Sequence, residues 1–139
     1  IYIEENFLSV GIHRAILTSS DCAFEGELEI EIHRYLNNRE SIFAQRRRPG
    51  QVAIHPASLG RIRLNTYYLF VRATQHDNIS AEFMRRAINE LRECLIMRQR
   101  TQVMFCLADR GRGKNTWDTL YQFIHEAFAN TDILIMAAM

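Results

Sequence analysis

Strands alternating with helices along the chain predict an α/β domain with a largely parallel or mixed central sheet covered on both faces. Three observations carry this. Tyr67-Tyr68-Leu69-Phe70-Val71 is an aromatic and β-branched run suited to a strand buried on both sides. Residues 80–98 set Phe83, Met84, Ala87, Ile88, Leu91, Cys94 and Leu95 on one helical stripe, with Arg85, Arg86, Glu90 and Arg92 opposite. A second helix starting near Thr116 repeats that pattern with Trp117, Leu120, Tyr121, Ile124 and Phe128. At 139 residues with 47% hydrophobic and 24% charged side chains, the chain has the size and composition of one domain with one core.

Residues 15–19 read as a short strand, and residues 51–54 as another just after the Pro49-Gly50 turn signal. Residues 55–61, His55-Pro56-Ala57-Ser58-Leu59-Gly60-Arg61, read as a loop exposing Leu59, and residues 63–73 as the buried strand. Ser80 can cap the first long helix and Thr116 the second, because a short hydroxyl side chain satisfies a free N–H of the first turn. Between them lie a strand over 102–108 and a Gly-, Arg- and Lys-containing loop over 109–115, and residues 133–136 close the chain as a strand. Residues 24–37 fit two patterns: Glu27 to Ile32 alternate as a strand would, while Phe24, Leu28, Ile32, Tyr35 and Leu36 share a helical face.

Composition excludes several classes. No run reaches the ~18 apolar residues of a membrane span, and the start lacks the basic-then-apolar order of a secretory signal. The first residue is not Met, so the module over 1–139 is read as excised from a larger protein. Cys22, Cys94 and Cys106 are odd in number and widely spaced, which fits core packing in a reducing intracellular compartment, cytoplasm or nucleus, rather than a disulfide framework. The five His are scattered without ligand spacing, so no metal is expected, and Ser19 and Ser20 lack the flanking glycines of a nucleophile elbow.

The net charge of +1 hides a segregation. Residues 1–45 carry eight acids and three bases, residues 46–75 six arginines and no acid, and residues 76–139 eight of each. Only Lys114 among the bases is lysine, and planar guanidinium groups favour bidentate contacts to carboxylate or phosphate. Compositional drift would produce the same bias. Arg46-Arg47-Arg48 before Pro49-Gly50 forms a basic patch held out in solvent by a turn; as a nucleic-acid footprint it lacks aromatic residues interleaved with the arginines.

The order of these motifs resembles a macro domain, in particular the branch typified by terminal ADP-ribose protein glycohydrolase, which removes ADP-ribosyl esters from proteins. Ser19-Ser20-Asp21-Cys22 running into His33-Arg34-Tyr35-Leu36 is similar to that family's acidic strand end, turn and first helix. Gln45-Arg46-Arg47-Arg48-Pro49-Gly50-Gln51-Val52-Ala53 resembles its glutamine, basic pair and Gly-x-Val-Ala strand, and Tyr67-Tyr68-Leu69 its Tyr-Tyr-Leu strand. Cys94 and Trp117 with Thr131-Asp132-Ile133 match its later helices and last strand. The resemblance favours helix for residues 24–37.

It also implies site residues. Asp21 takes the place of the carboxylate that hydrogen-bonds adenine. The family's glycine turn over the ribose and pyrophosphate falls on Glu25-Gly26-Glu27, where two carboxylates suit a helix N-terminus but repel a diphosphate. Its second phosphate loop falls on Asp109-Arg110-Gly111-Arg112-Gly113, so the catalytic carboxylate position is Gly113. The nucleophilic lysine corresponds to Arg72, whose guanidinium has no free lone pair for attack on the ribose carbon.

The sequence therefore predicts a catalytically inactive macro-like domain without cofactor, whose partner is another protein. The alternative is residual binding of ADP-ribose, another nucleotide or RNA through Asp21, Gly26, Arg110, Gly111, Arg112 and Lys114, or through Arg46 to Arg48.

Overall fold

A computed structural model describes residues 2–4, 13–23, 39–59, 62–74, 76–106 and 116–138. The strands are β1 (Tyr2–Glu4), β2 (Arg14–Ser19), β3 (Val52–Leu59), β4 (Ile62–Arg72), β5 (Gln102–Cys106) and β6 (Leu134–Ala138). The helices are α1 (Arg39–Ala44), α2 (Ala81–Met97) and α3 (Thr116–Phe128). The strands form one six-stranded sheet in the order β1-β6-β5-β2-β4-β3, parallel throughout except for the antiparallel β3–β4 pair. The predicted α/β class is thus the observed one. Among the described residues no helix is long and apolar enough to cross a membrane.

Successive strand residues point to opposite faces, and one alternate set builds the main core. Ala15, Leu17, Tyr67, Leu69, Val71, Val103, Phe105, Ile135 and Ala137 pack against Met84, Ala87, Ile88, Leu91 and Leu95 of α2 and Leu120, Phe123, Ile124 and Phe128 of α3. Each fully buried Leu, Ile or Phe contributes about 1.5–3 kcal/mol relative to exposure. Ser80 caps α2 as expected, its Oγ accepting the Phe83 N–H at 3.3 Å. Thr116 is itself the first residue of α3 rather than the residue before it.

The face predicted for α3 holds at Leu120, Ile124 and Phe128 and needs correction at Tyr121. Tyr121 is 40% exposed and stacks obliquely on His125, with ring centroids 4.4 Å apart, while Phe123 is buried and takes the Arg85 guanidinium 4.8 Å from its ring centroid. The buried stripe runs through Leu120, Phe123, Ile124 and Phe128, with Phe123 rather than Tyr121 turned to the core.

The other alternate set, Arg14, Ile16, Thr18, Thr66, Tyr68, Phe70, Arg72 and Met104, is buried as well. The prediction that Tyr67 to Val71 is covered on both sides therefore holds. α1, which the sequence did not indicate, packs on β3 with Ile42 fully buried outside the α2–α3 core. The stretch predicted as a loop at 55–61 is strand as far as Leu59, because Ala53 to Leu59 pair in register with Tyr68 to Ile62. Pro56 is tolerated there because β3 lies at the sheet edge, where one side of the strand needs no ladder donor.

That edge is closed by a side chain. Gln45 Nε2 donates to the Ile54 carbonyl at 2.8 Å and its Oε1 accepts the Ile54 N–H at 3.1 Å, so one amide occupies the groups a further strand would use. Arg48 to Gln51 form the predicted Pro-Gly turn: the Gln51 N–H donates to the Arg48 carbonyl at 3.0 Å, with Pro49 second and Gly50 third at φ +88°. A positive φ at the third position is reached by glycine at little steric cost. The predicted helix over 24–37, Gly26, and the loop with Arg110, Gly111, Arg112, Gly113 and Lys114 lie outside the described residues.

Candidate functional site

β2 and β5 are parallel neighbours whose connections leave in opposite directions. From β2 the chain goes on to β3 and β4 on one side, and from β5 through α3 to β6 on the other. Such a reversal leaves a crevice beyond the carboxyl ends of the two strands, the place where open α/β sheets bind ligands. Arg14, Ala15 and Ile16 of β2 pair with Met104, Phe105 and Cys106 of β5, and β2 ends at Ser19.

The end of β2 is shaped by its partner β4. The register shifts between Thr18 and Ser19, so that Thr18 faces Phe70 while Ser19 faces Arg72. A bulge of this kind bends a strand and re-aims the residues beyond it. The Ser20 N–H donates to the Arg72 carbonyl at 3.0 Å, and the Asp21 N–H to the Ala73 carbonyl at 3.1 Å. These two bonds fix Asp21 beside the end of β4. Its side chain is exposed at the crevice, while Oδ1 accepts the Ser19 hydroxyl at 2.6 Å and the Ala23 N–H at 3.1 Å. The carboxylate is thus oriented by its own turn, which is the turn-forming role of Asp.

Cys22 comes next with φ +54°, left-handed backbone in which a side chain is strained by about 1–2 kcal/mol. It is 1% exposed, and its Sγ lies 3.7 Å from the Ser20 carbonyl. Backbone strain at a strand end next to a crevice is typical of functional sites. Nothing in the sequence around Cys22 indicates it, since positive φ is ordinarily signalled by Gly or Asn.

Arg72 ends β4 and is, among the described residues, the largest fully buried side chain, 1% exposed, on the face of β4 away from α2 and α3. Its guanidinium lies within the second face of the sheet, where low dielectric strengthens electrostatic interactions. Asp21 and Arg72, 51 positions apart in the chain, are brought together by the Ser20 and Asp21 backbone bonds. Arg46, Arg47 and Arg48 are not in this group: they are exposed beside the edge strand β3.

Two other polar features lie elsewhere. At the amino ends of the strands, His13 Nδ1 accepts the Asn65 N–H at 2.9 Å, and its pKa is lowered by burial and by the Arg100 and Arg98 charges. An apolar groove between the last turn of α3 and the start of β6, lined by Ile124, Phe128, Ile133 and Ile135, lies at that same end, away from Asp21. Among the described residues no cluster of three or more His, Cys, Asp or Glu could hold a metal ion. Cys94 is half-buried on α2, and burial together with Glu90 raises its thiol pKa, which makes it a poor nucleophile.

No protein-family model and no curated protein matches the chain. Solved structures do. The macrodomain of Thermus aquaticus DarG superposes with a TM-score of 0.82 at 11% identity, over 99% of this chain and 95% of that one. The macrodomain of Mycobacterium tuberculosis DarG gives 0.80 at 10% identity, again over 99% and 95%. A Trypanosoma brucei macrodomain solved in complex with ADP-ribose gives 0.69 at 9% identity, over 98% of this chain and 62% of that one. The chain therefore has the macrodomain fold that its motif order implied.

Proposed function

We propose that this domain binds an ADP-ribosyl group or a closely related nucleotide in the crevice above β2 and β5, and does not hydrolyse it. The observation that carries the reading is the placement of Asp21: exposed, oriented by Ser19 and the Ala23 N–H, and standing at the switch point of the sheet. A carboxylate held there is suited to accept the exocyclic amine of adenine. The ligand class is supported by the likeness to a macrodomain that carries ADP-ribose. Arg72, whose carbonyl takes the Ser20 N–H, ends β4 beside this turn.

The absence of chemistry rests on Arg72 as well. A guanidinium offers no lone pair, and a side chain 1% exposed does not reach an anomeric carbon in the crevice. The sequence places glycine, at 113, where a catalytic carboxylate would stand.

Calorimetric titration with ADP-ribose tests the binding. A dissociation constant tighter than about 100 µM, ~5.5 kcal/mol, is expected, with a weakening of about tenfold in Asp21→Ala. Release of ADP-ribose from an ADP-ribosyl-glutamate peptide, lost in Arg72→Ala, would instead assign hydrolysis.

A second reading is a protein-interaction module whose crevice is unused. The carboxylates of Glu25 and Glu27, where diphosphate-binding glycines are expected, favour it because they repel that ligand. Absence of heat with ADP-ribose at millimolar concentration, with the fold intact, decides for this second reading.

A further inference from the structure

α1 ends in a way that exposes an aromatic ring beside three arginines. The Gln45 N–H donates to the Ile42 carbonyl at 3.2 Å and the Arg46 N–H to the Phe43 carbonyl at 3.1 Å, which closes the helix with Arg46 at φ +51°. Glycine or asparagine normally fills such a left-handed closing position, because a β-carbon there is strained. Phe43 is 59% exposed although the apolar face of α1 is anchored by the fully buried Ile42 next to it. Arg46, Arg47 and Arg48 are all exposed, and the Arg48-to-Gln51 turn is pinned to β4 through the Gly50 N–H, which donates to the Phe70 carbonyl at 2.7 Å. The aromatic residue missing from the arginine run itself is therefore supplied three positions upstream.

The surface continues onto α2. Gly50 packs against Arg86, so that a β-carbon there would lie 3.3 Å from Arg86 Cδ. The acids nearby are partly engaged: Glu82 is bonded to Arg86 and Glu93 to Arg92, leaving Glu40 and Glu90 against the remaining arginines.

An exposed ring next to guanidinium planes and unneutralised positive charge is the chemistry that binds a flexible polyanion carrying aromatic bases. A duplex would instead require an element shaped to enter a groove, and an acidic protein would gain nothing specific from the ring. We propose that Phe43 with Arg46, Arg47 and Arg48 forms a binding surface for single-stranded nucleic acid, separate from the crevice at Asp21. It lies beside the edge strand β3, two strand spacings from β2, on the order of 10 Å across the sheet.

Fluorescence anisotropy with a labelled fifteen-nucleotide oligouridylate tests this. Binding at or below about 10 µM in 50 mM salt is expected, weakening with a log–log salt slope of about −2 for three arginines. Changing Arg46, Arg47 and Arg48 together to Ala should bring the slope close to zero. Phe43→Ala should weaken binding about 5- to 150-fold and leave the slope unchanged. Arg46→Gly should raise the thermal midpoint while weakening binding, since it relieves backbone strain and removes one charge. The proposal is overturned by affinity weaker than about 100 µM, by a slope the triple variant does not alter, or by equal binding of a duplex of the same length that Phe43→Ala leaves untouched. Circular dichroism of each variant confirms that the fold is retained.

Discussion

The two faces of the central sheet are equally buried and chemically unlike. The face toward α2 and α3 is almost wholly aliphatic and aromatic, with Asn65 at its amino-terminal margin bonding the Tyr67 hydroxyl at 3.3 Å. The opposite face buries Arg14, Thr18, Thr66 and Arg72 among Ile16, Tyr68, Phe70 and Met104. Burying polar groups lowers stability unless each is hydrogen-bonded, so a sheet optimised for stability alone would not place them there. In this molecule the first face holds the fold together. The second carries the polar side chains, and Arg72 ends it beneath the turn that presents Asp21.

The largest effect that separates the faces is expected on the first. Leu91→Ala, at a fully buried position between α2 and the sheet, should cost about 2–5 kcal/mol in denaturant unfolding. A cost below about 1 kcal/mol would mean that α2 is not the keystone of the core.

The second face should answer in the opposite direction. The Thr66 hydroxyl is buried without a hydrogen-bond partner among the described residues, so the isosteric Thr66→Val should raise stability by about 1 kcal/mol. Loss of stability on this exchange would show that the hydroxyl is satisfied, and the contrast between the faces would weaken.

A smaller effect belongs to the amino ends of the strands. His13 has a lowered pKa and accepts a hydrogen bond through Nδ1, so protonation breaks that bond and adds a charge near Arg98 and Arg100. The unfolded chain then binds a proton more readily than the folded one. Stability from this group is fully present above the unfolded value near 6.5 and is lost as pH falls through the lower folded value. His55, lowered by burial alone, adds to the same trend. Denaturant midpoints should fall from about pH 7.5 to about pH 5, and His13→Gln should flatten the dependence; a midpoint unchanged across that range would contradict the assignment.

The smallest effect is expected on the exposed side of α2. Glu82 and Arg86 are bonded at 2.6 Å, but both side chains are more than 60% exposed, and Glu82→Ala should change stability by no more than about 0.5 kcal/mol.

Legibility in the sequence divides along the same line. α2, α3 and β4 could be read directly, because a helix that buries one stripe and a strand that buries both faces write their periods into consecutive residues. The face of α3 is legible at Leu120, Ile124 and Phe128, but Tyr121 and Phe123 both lie close to that stripe in spacing, and only the sheet decides that Phe123 is the one covered. The Pro49-Gly50 turn and the Ser80 cap were equally plain, since each rests on the conformational demand of one or two residues. For β1, at three residues, and α1, at six, the segments are shorter than the period needed to recognise them.

The candidate site was legible as a set of positions and not as an arrangement. Asp21 and Arg72 could be singled out, yet nothing local states that one is exposed and the other buried, or that a register shift at Ser19 brings them to one strand end. The same holds for Phe43 beside Arg46, where a helix closes in left-handed backbone without a glycine to announce it.

By itself the sequence determined the α/β class, the long helices, the buried strand and the segregation of charge, all of which depend on residues within about a dozen positions of each other. Tertiary structure alone decided that β2 lies between β4 and β5, that residues 55–59 extend an edge strand rather than a loop, and that Asp21 is held beside the Arg72 end of β4. These outcomes depend on hydrogen bonds between strands tens of residues apart, whose register is selected by which side chains must be buried together.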